Sequence, residues 1–193
     1  MNSVFGLIEQ LRKSPHKMQQ NYEEAMALYS LVLSRKPQNI LEIGVRNGGS
    51  AILMAHALDH LQEEHVVVNR TIDAVDANGE IPESKWSRLA KNRINLIRKN
   101  SPEGVPVKQY DLIHIDGNHN TKHVLADLNA AMRCCDVDSR IILHDANFPG
   151  VIEALEAFEI SHAQAHVHYK WTVRTDREDN WGGQALITFK RRT

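Results

Sequence analysis

Cysteine is scarce in this chain: two of 193 residues, and Cys134 and Cys135 are adjacent. Neighbouring cysteines suit neither a disulfide framework nor a spaced zinc knuckle, and so sparse a usage fits a reducing compartment. No run approaches the roughly 20 apolar residues that a bilayer-spanning helix needs. The start, Met1 to Ile8, turns polar at Glu9 without a basic lead, which argues against a secretory signal. A surplus of either charge is also missing, since 23 Lys+Arg oppose 24 Asp+Glu for a formal net of −1. That balance excludes the electrostatic footprint of a general nucleic-acid binder and gives no reason to invoke an anionic membrane surface. Repeats, low-complexity tracts and Pro/Gly/Ser linkers are absent. With 42% hydrophobic residues, the chain can bury one sizeable core rather than two. A single cytoplasmic domain over 1–193 is expected, with a helical segment at 1–36 leading into a core at 37–193. Histidine is the abundant residue: 11 of them would make the chain strongly cationic on mild acidification.

The apolar pattern alternates between two periods. Residues 19–35 read as a helix, with Tyr22, Ala25, Met26, Tyr29 and Leu33 at helical spacing and Lys36-Pro37 as the stop. Asn39 to Gly44 is a short apolar run ending in glycine and reads as a buried strand, followed by a helix from Gly48 to Leu58. Further strands are expected at 71–76, 94–97, 111–116 and 140–145, and helices at 84–92, 121–134 and about 151–162. Val124, Leu125, Leu128 and Met132 mark one face of the helix at 121–134. Such alternation predicts an α/β fold with a parallel sheet covered by helices on both faces. The end departs from it. Val167, Tyr169, Trp171 and Val173 alternate with polar residues, and after the Asn180-Trp-Gly-Gly183 turn a last strand runs from Ala185 to Lys190. With no helix between them, these two strands should form an antiparallel hairpin closing five β/α units, seven strands in all.

The turn Glu42-Ile-Gly-Val-Arg-Asn-Gly-Gly-Ser50 sits where the first strand feeds its helix, the place where open α/β sheets bind ligands. Glycines at 44, 48 and 49 would let a ligand approach the backbone. Arg46 breaks the G-x-G-x-x-G spacing of dinucleotide binders, which weighs against a nucleotide-dependent oxidoreductase. Asp76, closing the second strand, is placed to hold two ribose hydroxyls. A carboxylate ending an apolar strand is more often a ligand or a cap than a core residue.

The segment Ile40-Leu-Glu-Ile-Gly-Val-Arg-Asn-Gly-Gly-Ser-Ala51 resembles the first motif of class I S-adenosylmethionine-dependent methyltransferases, and Asp76 matches their second-strand acidic residue. Asp111-Leu-Ile-His-Ile-Asp-Gly-Asn-His119 and Ile142-Leu-His-Asp145 are similar to motifs of the branch containing metal-dependent small-molecule and sugar O-methyltransferases. The resemblance covers roughly residues 20 to 190 and implies a Rossmann-like fold. It assigns Gly44, Val45 and Ser50 to the methionine end of the cofactor, with Glu42 supporting the turn. Asp76 would take the ribose with Ala77 beside it, Asn100 and Ser101 would lie near the adenine, and Asp116 would contact the cofactor as well as a metal. The implied partner is a small hydroxylated acceptor. An alternative keeps the fold without the chemistry: a cofactor-binding regulatory or scaffold subunit.

Asp116 and Asp145 end the fourth and fifth strands, neighbours in such a fold, so their side chains should converge. Two oxygen donors with waters and a chelating substrate suit Mg²⁺, and in related enzymes such a metal holds two acceptor oxygens. His144, if it joins them, would shift the preference toward Mn²⁺. Relatives of the catechol type carry Asn directly after the Asp, whereas here Ala146 holds that position and Asn147 follows. His119 is the candidate general base, three residues after Asp116, and similar sugar O-methyltransferases use an Asp-x-x-His this way. Its alternative role is a cap on the helix near Thr121. His114 reads as a packed mid-strand side chain, His123 as solvated, and His162, His166 and His168 as surface residues. Cys134 and Cys135 read as core and near-core thiols. The polar-faced strand at 167–174 should lie at the sheet edge, either pairing in a homodimer or guarded by its Lys and Arg.

Overall fold

The structure, a computed structural model, describes residues 3–64, 69–170 and 182–190. Two helices, α1 (Val4–Arg12) and α2 (Tyr22–Arg35), precede the first strand. Then β1 (Asn39–Ile43), α3 (Gly49–Glu64), β2 (Thr71–Val75), α4 (Ser87–Arg93), β3 (Ile94–Ile97) and β4 (Leu112–Ile115) follow. The chain continues through α5 (Thr121–Met132), β5 (Arg140–His144), α6 (Pro149–Ser161), β6 (Ala165–Lys170) and β7 (Gln184–Phe189). One seven-stranded sheet results, ordered β3-β2-β1-β4-β5-β7-β6. The pairs among β1 to β5 are parallel, and β7 pairs antiparallel with both β5 and β6. The expected hairpin and edge strand are therefore present, with β6 outermost. Positions 171–174 of the expected strand, and Asn180 and Trp181 of its turn, lie outside the described residues.

Strand parity explains the two cores. Ile40, Leu112 and Ile142 face α1, α2 and α3, packing with Leu7, Leu28, Tyr29, Ile52 and Leu53. Their immediate neighbours Leu41, Ile113, Ile141 and Leu143 face the other way, against Val124, Leu128, Leu155 and Phe158 of α5 and α6. Because side chains alternate with a period of two, Glu42, His114 and His144 share the parity of Ile40 and Ile142. Three polar side chains are thereby committed to the buried α2/α3 side of the sheet. Burial keeps the cysteines inert: Cys134 is in the core, and the Cys135 thiol is pushed up to about 12.

Several element starts differ from the periodicity, α4 beginning at Ser87 and β6 at Ala165 among them, and two of the differences have clear local reasons. The α2 helix begins at Tyr22 rather than at 19 because Asn21 and Glu24 form a capping box, each side chain accepting the other's backbone N–H. The α6 helix begins at Pro149, since proline at the first turn loses no hydrogen bond. The stretch 13–21 between α1 and α2, read in part as helix, is a connection that crosses the turn after β1.

Candidate active site

The sheet order reverses between β1 and β4, and the turns leaving these strands lie side by side at that switch point. Gly44 has φ +89, and a Cβ there would run into the backbone of Asp116 and Gly117. A Cβ on Gly49 would lie 2.6 Å from Cβ of Met18. The glycines are thus demanded by the chain's own crossings: β4 approaches Gly44, and the 13–21 connection covers Gly49. Valine at position 44 would break the fold before it could block a ligand.

Glu42 is fully buried and lines neither of the two cavities at this turn. Its Oε1 accepts from Ser50 Oγ at 2.5 Å and lies 3.1 Å from Nδ1 of His114, so it anchors the turn from below. Asp76 also holds the turn, its Oδ2 accepting the backbone N–H of Val45 and of Arg46, both at 2.9 Å, and its Oδ1 that of Asn78. Burial favours its neutral form, but these donors together with the N–H of Gly79 outweigh that and hold its carboxyl below the usual range.

Two cavities meet at this turn. One, of about 230 Å³, is lined by Gly44, Val45, Ser50, Asp116, His119 and Asp145, with residues 16–20 of the crossing connection as its far wall. The other, of about 400 Å³, holds Asp76, Ala77, Asn100, Ser101 and His123. Gly44, Arg46, Asp116 and Gly117 belong to both, so together they make an elongated groove. Ser101 donates to Oδ1 of Asp127 at 2.5 Å, and burial raises the carboxyl pKa of Asp127.

At the head of the groove the strand ends bring Asp116, His144 and Asp145 together, with candidate ligand atoms within 4.8 Å of one another. His144 is fully buried, and its Nδ1 lies 3.3 Å from Asp116 Oδ1 and 3.2 Å from Asp145 Oδ2 without a hydrogen bond to either. Its Nε2 lies 3.1 Å from Glu24 Oε2. Burial disfavours the imidazolium, but Asp116, Asp145 and Glu24 prevail and raise its pKa well above the ordinary value. Three carboxylates thus surround one imidazole. An unbonded, buried nitrogen facing two carboxylates fits a divalent cation: all three groups are metal ligands when deprotonated, and the ion would cancel the repulsion between the acids. Asn147 is turned elsewhere, its Oδ1 accepting the N–H of Gly182.

Asp145 has φ +52, a left-handed conformation that aspartate tolerates better than most residues. His119 reaches it from the neighbouring turn, with Nε2 3.2 Å from Asp145 Oδ2 and the ring against Phe148, centroids 5.2 Å apart. The helix cap is Asn120, whose Oδ1 accepts the N–H of Lys122, so His119 does not cap α5.

Two buried side chains at the cluster escape sequence reasoning. Gln20 donates to Asp116 Oδ2 at 2.7 Å, and Glu24 holds His144. The Asn21-x-x-Glu24 spacing is a visible capping-box signal, but nothing local shows that Glu24 also meets a residue 120 positions away.

The described histidines elsewhere sit as their sequence positions imply: His114 is buried against Glu42, His123 is exposed, and His162, His166 and His168 are partly or fully exposed. No described helix is long and apolar enough to cross a membrane.

Comparison with known proteins places this geometry. A family model described as a methyltransferase domain matches residues 41–146, more than half of the chain. No curated protein matches the sequence. Among solved structures, an O-methyltransferase from Bacillus cereus, determined with SAH, is similar at TM-score 0.69 and 17% identity, over 98% of this chain and 92% of that one. The O-methyltransferase TomG from Streptomyces achromogenes, involved in tomaymycin synthesis and determined with SAM, gives 0.67 and 16%, over 99% and 91%. The SAH-bound methyltransferase PaMTH1 from Podospora anserina gives 0.64 and 14%, over 99% and 89%. At these identities the likeness shows the fold.

Proposed function

The chain belongs to the methyltransferase-domain family, enzymes dependent on S-adenosylmethionine, and from that premise we propose that it methylates a hydroxyl of a small acceptor with the help of a divalent cation, Mg²⁺ or Mn²⁺. One observation carries the reading: Asp116, His144, Asp145 and His119 converge where the groove from the glycine turn ends. The groove supports the cofactor assignment. Gly44, Val45 and Ser50 would face the methionine end, Asp76 and Ala77 the ribose, and Asn100 and Ser101 the adenine. Asp76 would exchange part of its hold on the turn for ribose hydroxyls, or keep that hold and receive them on its remaining lone pairs.

Bound cofactor supplies an electrophilic methyl group, and a bound divalent ion supplies a Lewis acid that makes an acceptor hydroxyl more acidic. The chain's residues do the rest. Asp116, His144 and Asp145 would hold the ion. His119 takes the hydroxyl proton onto its ring, and Asp145 Oδ2, 3.2 Å from Nε2, stabilises the resulting imidazolium. Gln20 and the crossing connection shield the cluster from one side, and Phe148 fixes the His119 ring.

Calorimetric titration with S-adenosylhomocysteine, followed by methylation assays over catechols and sugars with and without EDTA, tests the proposal. Cofactor binding with transfer that stops on chelation and returns with Mg²⁺ or Mn²⁺ is expected. Cofactor binding without transfer to any acceptor would favour a regulatory subunit, and transfer that survives exhaustive chelation would remove the metal.

A further inference from the structure

Glu24 lies on the first turn of α2, far in sequence from the strand ends, yet it is fully buried against them. Each of its oxygens is engaged. Oε1 accepts the N–H of Gly183 at 2.7 Å, and Oε2 accepts that of Asn21 at 2.8 Å and faces His144 Nε2 at 3.1 Å. The Glu24 carbonyl also accepts from Gln184 Nε2 at 3.1 Å. The carboxylate is therefore clamped from α2, from the turn before β7 and from β5 at once. It cannot swing away from the imidazole without losing bonds in both directions.

A clamped carboxylate decides where the imidazole proton sits. An ionised carboxylate only accepts, so the hydrogen between Glu24 Oε2 and His144 Nε2 belongs to the histidine. With Nε2 carrying a proton held by Glu24, a metal ion that displaces the second proton would meet the ring's lone pair at Nδ1. That is the buried atom lying 3.2–3.3 Å from Asp145 and Asp116 with no hydrogen bond. Two carboxylates facing one nitrogen call for a positive charge between them, either the ring's own proton or a metal ion that replaces it. Gln20 completes the arrangement from the same segment, since its donation to Asp116 Oδ2 leaves Oδ1 turned to His144.

We infer that Glu24 is a positioning residue that commits Nδ1 of His144 to metal binding, so that the site takes a nitrogen-accepting transition ion such as Mn²⁺ or Co²⁺ in preference to Mg²⁺. The inference rests on the metal-assisted reading above and adds to it a residue from outside the strand ends and an order of metals. An imidazole donor suits transition ions, whereas Mg²⁺ favours oxygen and water. Partners that fix a ligating histidine through its other nitrogen typically contribute 10–100-fold in metal affinity. Replacing Glu24 by glutamine keeps shape and a carbonyl for Gly183, but sets an amide N–H₂ toward Asn21 N–H and His144 Nε2. The ring then gains by moving its proton to Nδ1, which blocks the donor.

The test uses the full chain and Co²⁺ as the probe, followed by calorimetry and by visible absorption, which responds to nitrogen in the ligand set. Wild type should bind Co²⁺ and Mn²⁺ more tightly than Mg²⁺. Glu24→Gln should weaken Co²⁺ on the order of 10–100-fold and shift the spectrum toward that of His144→Ala. Nitrogen NMR of the wild type loaded with diamagnetic Zn²⁺ should show the proton on Nε2 and the metal on Nδ1, and it decides the matter even if Glu24→Gln does not fold. No Co²⁺ binding by wild type would overturn the metal-assisted reading and this inference together. Co²⁺ binding with unchanged affinity and spectrum in folded Glu24→Gln, or a metal on Nε2, would overturn this inference alone.

Discussion

Asp73 on β2 and the pair Asp116 and Asp145 past β4 and β5 are all carboxylates held at the same sheet, in opposite electrostatic settings. Asp73 receives Tyr110 Oη at 2.8 Å and Asn95 Nδ2 at 2.8 Å, and Lys108 Nζ lies 2.7 Å away. One acid there meets one base and two neutral donors. Around His144, three carboxylates and a single imidazole meet among the described residues, and the nitrogen between two of the acids forms no hydrogen bond. Buried charge is costly unless paired. The Asp73 cluster therefore repays its burial by holding β2, β3 and the approach to β4 together, whereas the acids around His144 are what the proposed cation would balance. Electrostatic mismatch, more than burial or acidity, separates the functional pole of this sheet from its structural one.

The largest effect that would sharpen this contrast is on turnover. His119→Ala should lower methyl transfer on the order of 10²–10⁴-fold, the range for a lost general base, while cofactor affinity measured by calorimetry stays near wild type. Equal loss of cofactor affinity would move His119 from proton transfer to ligand binding. The stability of the matched cluster comes next. Asp73→Asn leaves Lys108 unpaired and turns an amide donor toward Asn95 or Tyr110, so unfolding in urea should become easier by about 1–3 kcal/mol. The same acid-to-amide change in the cluster around His144 should cost much less. Asp145→Asn keeps a side chain suited to φ +52 and removes one of three mutually repelling acids, so metal-free stability should change by less than about 1 kcal/mol. Its cost should instead appear as a higher concentration of Mn²⁺ needed for activity. If Asp145→Asn destabilises as much as Asp73→Asn, the two clusters are alike and the contrast fails.

Only one half of this contrast is legible in the sequence, since Asp73 looks there like any other residue of its strand. Period-two and helical spacing located the strands and helices of the α/β core, since each strand is a short apolar run bounded by turn residues, and Asp116 and Asp145 stood out as acids closing apolar strands. Illegible was everything carried by contacts far apart in sequence. Met18 covering Gly49, Gln20 on Asp116 and Glu24 on His144 all come from the connection and helix ahead of β1. Those side chains look like ordinary polar residues of a helix start, because a capping box explains Asn21 and Glu24 without reference to anything else. The glycines carry a second constraint that the sequence does not show. Their freedom reads as room for a ligand, and Gly44 and Gly49 are also hemmed in by the turn after β4 and by Met18.

The smallest expected effect is in the pH dependence of stability, and it tests whether the charge of Asp73 is matched. Burial works to raise the Asp73 carboxyl pKa, but donation from Lys108, Asn95 and Tyr110 outweighs it, and the folded-state value lies below the ordinary one. A group with a depressed folded-state pKa contributes stability that is present above its unfolded value, near 3.9, and lost as pH falls through the folded one. Between pH 7 and about pH 5 the contribution should be flat, and it should decline below about pH 4. Asp73→Asn has no proton to gain at that position, so its deficit relative to wild type should be full at neutral pH and should shrink on acidification below about pH 4. Urea denaturation of both proteins at pH 7, 5 and 3.5 measures this directly. A difference that stays constant down to pH 3.5 would mean that Asp73 stabilises by shape alone and that its charge is not matched, leaving the cluster around His144 without a counter-example in its own sheet.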